Sequence, residues 1–154
     1  VAICQHITAG FADDLARWLK AETRRDVVEV SAATLLVPNR IFVAGSNAHL
    51  VATRDFTLDV DPSDPVGGFR PSCDVLLKSA AAAFGDQAIG VVLTGMGRDC
   101  ARGLKEIRAR GGHTIAQDEA SSIVFGMPGE AIALGGAEKV LPLGQIAAQL
   151  GRWV

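Results

Sequence analysis

Tyrosine is absent, and aromatic residues make up only 5% of the 154. The apolar half of the chain rests largely on Ala and Val, a bias with no functional meaning of its own. No apolar run approaches the roughly 18 residues needed to cross a membrane, which excludes direct membrane insertion. No basic cluster is present and the formal charge is −2, so nucleic acid is not expected as a partner. The three cysteines, Cys4, Cys73 and Cys100, are an odd number with no C-x-x-C pair. That argues against a disulfide framework and suits a reducing, cytoplasmic setting. Cys4 and His6 in "CQH" are two potential ligands without a second pair, so no metal is expected, nor any organic cofactor. No leader pattern, internal repeat or low-complexity segment is visible, and the length fits a single domain, 1–154, with its own core.

What is there is an α/β rhythm. "VAICQH" reads as a buried strand. "TAGFADDLARWLKAE" places Phe11, Leu15, Trp18 and Leu19 at helical spacing, with Asp13 and Asp14 early, where the helix dipole favours them. "DVVEV", "RIFVAGS", "HLVAT" and "FTLDVD" are short β-like runs broken by turn formers, an antiparallel excursion built from hairpins. "DPSDPVGG" is a loop. "RPSCDVLLKSAAAAFG" is a helix with Ser72 as N-cap and Gly85 as C-cap. "AIGVVLT" reads as a strand buried on both faces and "DCARGLKEIRARGG" as a helix closed by glycines. "HTIAQ" is a strand, "MPGEAIALGGA" a short helix with Pro128 in its first turn, and "KVLPLGQIAAQLGRW" a strand end and a helix. The pattern predicts a doubly wound, mostly parallel sheet with helices on both faces and an antiparallel hairpin excursion in mid-chain. The chain opens at Val1 inside an apparent buried strand, which predicts a preceding segment.

In open α/β sheets, ligands bind beyond the carboxyl ends of the strands. His6 follows the first strand and Asp99 follows "AIGVVLT", so both belong on the same edge. Such a pair suits a base and its orienting partner, the Asp accepting Nδ1–H and leaving Nε2 free. The bland alternative has Asp99 capping its own helix and His6 bonded to backbone. "GMGRDC" also mimics a dinucleotide-binding turn, with Asp118 about 20 residues on. Against that, Cys100 stands where the third glycine belongs, and Asp99 would oppose a pyrophosphate. No G-x-S-x-G elbow occurs. Ser46, Ser72, Ser121 and Ser122 fit turns and caps, Cys4 a small core position, and Asp99 opposes ionisation of Cys100.

Four separated motifs, "CQHITAGFADDLARWL", "FRPSCDVL", "LTGMGRDCARGL" and "AQDEASSIVFGMPGEAI", together resemble the catalytic domain of the chemotaxis protein-glutamate methylesterase family (CheB). The resemblance implies hydrolysis of γ-glutamyl methyl esters to glutamate and methanol, and deamidation of certain glutamines, by a Ser-His-Asp triad. His6 and Asp99 match the family's His and Asp. Met96 matches the residue whose backbone N–H helps to form the oxyanion hole. The nucleophilic Ser belongs to a first strand and turn upstream of "QH" that the chain lacks, so no residue here takes that role. Methylated cytoplasmic helices of chemoreceptors are the implied partners, and a receiver domain, absent from this chain, is implied in the full-length protein. An inactive receptor-binding module of the same fold is the alternative. Cys100 replaces a family Gly, and Phe69 replaces an expected His. Arg70 reads either as a loop anchor or as a substrate contact.

Overall fold

The computed structural model describes residues 1–8 and 10–154. In chain order the elements are β1 (Ala2–Ile3), α1 (Ala12–Thr23), β2 (Asp26–Val30), β3 (Thr34–Leu35), β4 (Arg40–Ala44), β5 (His49–Ala52) and β6 (Thr57–Asp61). Then come α2 (Cys73–Phe84), β7 (Ile89–Val92), α3 (Ala101–Ala109), β8 (His113–Gln117), α4 (Met127–Ala133), β9 (Lys139–Leu141) and α5 (Leu143–Leu150). The strands form three sheets of three. Orders β1-β4-β2 and β7-β8-β9 are parallel, and β3-β6-β5 is antiparallel. The α/β plan with a mid-chain antiparallel unit is therefore present, its parallel strands divided between two sheets.

The hairpin reading was too generous in one respect. "DVVEV" and "RIFVA" pair in parallel as β2 and β4, and only β3, β5 and β6 are antiparallel. Burial separates the two groups. Phe42, Val43 and Ala44 are successive buried residues of β4, as befits a strand covered on both faces. β6 instead alternates, with Leu58 buried and Asp59 exposed.

Two other strands are less buried than their sequences suggest. β1 is two residues long, Ala2 is exposed and Val1 is 79% exposed. β7 buries Gly90 and Val92 more deeply than Ile89 and Val91. Each of these strands pairs on one side only, β1 with β4 and β7 with β8. An unpaired flank lowers burial whatever the side chain.

In α1 the buried positions are Ala12 and Ala16, with Leu15 and Leu19 flanking them against Val27 and Val43. Phe11 and Trp18 are more than half exposed. The small alanines let the helix approach β2 and β4 closely, and the large rings are left on its flank. Asp13 and Asp14 both pair with Arg17 on the solvent side.

Helix α2 joins the two halves. Leu76 packs into one core with Val30, Phe42, Leu50 and Leu58. Cys73 packs into another with Val92, Cys100, Leu104 and Ala131. Cys4, just after β1, is wedged against both. At the α2–α3 crossing, a Cβ on Gly103 would lie 2.6 Å from Leu77 Cβ and 3.0 Å from Asp74 O. Only glycine permits this approach.

Candidate functional site

Two carboxylates are exchanged at that crossing. Asp99 precedes α3 but serves α2: its Oδ1 accepts from the Ser72 hydroxyl at 2.7 Å and the Asp74 N–H at 3.0 Å. Its Oδ2 accepts from the Cys73 N–H at 2.6 Å. Asp74, in the first turn of α2, accepts from the Gly103 N–H of α3 at 2.6 Å. Each helix start thus lends its orphan N–H groups to an acid carried by the other. Asp99 does not cap its own helix. Cys100 is the residue before α3 and holds φ 105°, a conformation that glycine adopts freely and a Cβ makes costly by on the order of 1–3 kcal/mol.

The free side of the Asp99 carboxylate faces His6. Nε2–H of His6 donates to Oδ2 at 2.7 Å. This is the opposite nitrogen from the one expected. The carboxylate is fixed on α2, and the nitrogen farther from the His6 backbone is the one that reaches it. Nδ1 has no hydrogen-bond partner among the described residues. Phe69 lies flat on the imidazole, ring centroids 4.0 Å apart and planes 11° from parallel. The ring is therefore held at its edge by an acid and on its face by an aromatic.

The electrostatics follow from these contacts. The hydrogen bond to Asp99, helped by the Cys73 thiol and opposed by burial, lifts the His6 pKa from 6.5 to about 9. For Asp99, burial pushes upward, but the bonds from His6, Ser72 and the Asp74 and Cys73 N–H groups overcome it, and the pKa falls to about 2. The carboxylate is thus a permanent acceptor.

Met96 sits at the apex of the turn after β7, 79% exposed. Its N–H has no hydrogen-bond partner among the described residues. The turn is laced from below. Gly95 N–H donates to Val124 O at 3.0 Å and Met127 N–H to Gly95 O at 2.8 Å. Gln117, fully buried, accepts from the Thr94 N–H at 2.8 Å and donates to Ser121 O at 2.7 Å. A Cβ on Gly126 would meet Gly95 O at 2.8 Å. The loops after β7 and β8 are thereby fixed to each other around the exposed Met96 N–H.

None of the serines weighed as a nucleophile is free for that work. Ser72 is bound to Asp99, Ser46 Oγ accepts from the Gly10 N–H, Ser121 donates to Asp118, and Ser122 donates to Asp118 O. Cys73 Sγ is 3.7 Å from His6 Nε2, but its neighbour Cys4 and its burial push the thiol pKa far up. Burial also raises that of Cys100, removing any helix-start activation. The dinucleotide reading has no room. The start of α3 is served by Asp74, and Asp118 is spent on Ser121. Arg70 donates to Pro62 O and Ser63 O, both at 3.4 Å, the contacts of a loop anchor. A cavity of about 260 Å³ beside Glu29, Ser46 and His49 contains neither His6 nor Asp99 in its lining.

A family model described as CheB methylesterase matches residues 1–150. The chain belongs to the CheB methylesterase family. It is 54% identical over 154 residues to the protein-glutamate methylesterase FrzG of Myxococcus xanthus, covering 100% of this chain and 46% of that protein. It is 45% identical over 153 residues to protein-glutamate methylesterase/protein-glutamine glutaminase 3 of Burkholderia lata, covering 97% of this chain and 42% of that protein. The chain thus spans less than half the length of these curated relatives. The crystal structure of the Thermotoga maritima CheB methylesterase catalytic domain superposes with a TM-score of 0.94 at 33% identity, over 99% of this chain and 82% of that one. The fold is that of the CheB catalytic domain.

Sequence spacing singled out His6 and Asp99, which the structure brings into contact, and left Ser72, Cys73, Phe69 and Gln117 in lesser roles. Ser72 was legible as a cap, but not as a ligand of Asp99. Gln117 shows no sequence signal beyond its place in "AQDE". The contacts of all four depend on pairings more than 20 residues apart or on loop packing.

Proposed function

We propose that this domain hydrolyses γ-glutamyl methyl esters on the cytoplasmic helices of chemoreceptors to glutamate and methanol, and deamidates glutamines at such sites. The observation that carries the reading is the 2.7 Å His6–Asp99 pair, with Asp99 three residues after a Met96 whose N–H has no hydrogen-bond partner among the described residues. In this mechanism His6 in its neutral form, with its proton on Nε2, takes at Nδ1 the proton of a serine supplied by a segment preceding Val1. The serine attacks the ester carbonyl, and the Met96 N–H stabilises the resulting oxyanion; losing one such donor costs on the order of 10²–10³ in rate. His6 then protonates the leaving methanol, and water hydrolyses the acyl-enzyme. The unpaired flanks of β1 and β7, edge strands as β2 and β9 also are, are compatible with a further strand carrying that serine. The names of the relatives support the substrate class. No described helix is long and apolar enough to cross a membrane, which agrees with a cytoplasmic enzyme acting on receptor tails.

Methanol release from methyl-esterified receptor by the full-length protein is the test. Wild type is expected to release methanol, His6→Ala to lose activity, and Asp99→Asn to fall by up to about 10⁴ because the wrong tautomer is favoured. Near-normal turnover in Asp99→Asn would overturn the pair's role. Receptor binding without methanol release by wild type would instead mark a non-catalytic module.

A further inference from the structure

The His6–Asp99 pair has a third neighbour that the proposed hydrolysis does not use. Cys73 Sγ lies 3.7 Å from His6 Nε2. The three ligand atoms, Nε2, a carboxylate oxygen and the sulfur, all fall within 4.8 Å of one another. Zinc binds His, Asp and Cys at about 2.0–2.3 Å, which places tetrahedral ligand atoms roughly 3.3–3.7 Å apart. The nitrogen–sulfur separation already meets this. The nitrogen–oxygen separation of 2.7 Å must open by less than an ångström, and the loop carrying His6 lies outside any strand or helix. The side chain of His6 is 20% exposed, which leaves a way in for an ion.

The geometry points to a regulatory site for a borderline-soft divalent cation, zinc foremost, formed by His6, Cys73 and Asp99. Two features beyond proximity support it. Ser72 and the N–H groups of Cys73 and Asp74 already orient the carboxylate, the outer-shell bracing that metal sites use. The donor set of imidazole, thiolate and carboxylate suits zinc better than magnesium or calcium. Spacing along the chain hides the site, because its ligands come from positions 6, 73 and 99.

Binding starts from the imidazolium, the thiol and the ionised carboxylate. One proton leaves Nε2 and one leaves the Cys73 sulfur, both to solvent, and the freed lone pairs go to the metal. A coordinating metal deprotonates a thiol outright. With the metal on Nε2, the remaining proton stays on Nδ1, whereas base action in the free site needs that proton on Nε2 and Nδ1 bare, so metal and base action exclude each other. This last consequence rests on the proposed hydrolase reading, whereas the binding itself does not.

Cobalt(II) titrated anaerobically into the purified full-length protein is the test, read by thiolate-to-cobalt charge-transfer absorption and by its displacement with zinc. The band is expected to saturate at one equivalent. Affinity is expected to fall at least about tenfold in Cys73→Val and in His6→Gln, a loss that even outer-shell changes can produce. Cys4→Ala and Cys100→Ala are expected to keep the band. No band in the wild type, or a band that survives Cys73→Val, overturns the proposal. Should Cys73→Val fail to fold, His6→Gln decides, and an unchanged band in it is equally fatal. Because the band reports metal and not methanol, this result and that of the esterase assay stand apart.

Discussion

The two members of the pair are mounted very differently. Asp99 is 7% exposed and accepts three bonds from the start of α2 besides the one from His6. His6 hangs on a loop after a two-residue strand and is held by Asp99 and by the face of Phe69. The acid is over-determined, and the base has slack. That division suits the proton transfer proposed for His6, since a fixed anion keeps the ring oriented while the ring stays open. It also makes the acid a structural residue, so stability and the proposed chemistry share one side chain.

The comparison breaks most clearly at Asp99. Asp99→Ala leaves the Ser72 hydroxyl and two helix N–H groups without their acceptor, and removing one partner of a buried charged network costs about 3–5 kcal/mol. Urea unfolding should show this loss, whereas His6→Ala should cost far less. Equal losses would mean that the two mounts are not different. Gly103→Ala comes next. Its Cβ would press on Leu77 and Asp74, separating the helices that exchange carboxylates, at about 1–3 kcal/mol. An unchanged Tm would show that the crossing has room to spare. Ser72→Ala removes the α2 cap and one Asp99 ligand at about 1 kcal/mol, and should change receptor demethylation less than stability.

The smallest effect lies in pH dependence, which sharpens the contrast. A His with its folded pKa raised from 6.5 to about 9 contributes stability that is complete below 6.5 and lost as pH rises through 9. An Asp lowered from 3.8 to about 2 contributes stability that is present above 3.8 and lost as pH falls through 2. The pair therefore stabilises most between pH 3.8 and 6.5. Partial exposure of His6 makes the alkaline slope the shallower one. Urea midpoints measured across pH should show both slopes in wild type, with the alkaline one gone in Asp99→Asn. An unaltered alkaline slope would place its origin elsewhere.

Much of this was legible before any coordinates. The α/β order and the Ser72 and Gly85 caps follow from periodicity and turn chemistry, which are local; His6 and Asp99 were expected on one sheet edge, and they do meet, although the strands before them lie in two separate sheets. The parallel pairing of β2 with β4 was not legible, because a short β-branched run reads alike in either sheet type. Nor was the one-sided pairing of β1 and β7, because hydrophobicity reports what a strand can bury and not which neighbour is present.

The sequence alone determined that a carboxylate and an imidazole follow apolar runs, that a glycine turn precedes the acid, and that no apolar run is long enough to cross a membrane. These are properties of residue type and spacing. Only the tertiary structure decided that Asp99 serves α2 and not its own helix, that Nε2 and not Nδ1 faces it, and that Cys73 completes a third corner. Each of those contacts joins segments far apart in the chain. The seating of Asp99 at the start of α2 goes with the close approach of α2 and α3, which Gly103 permits and no local pattern encodes.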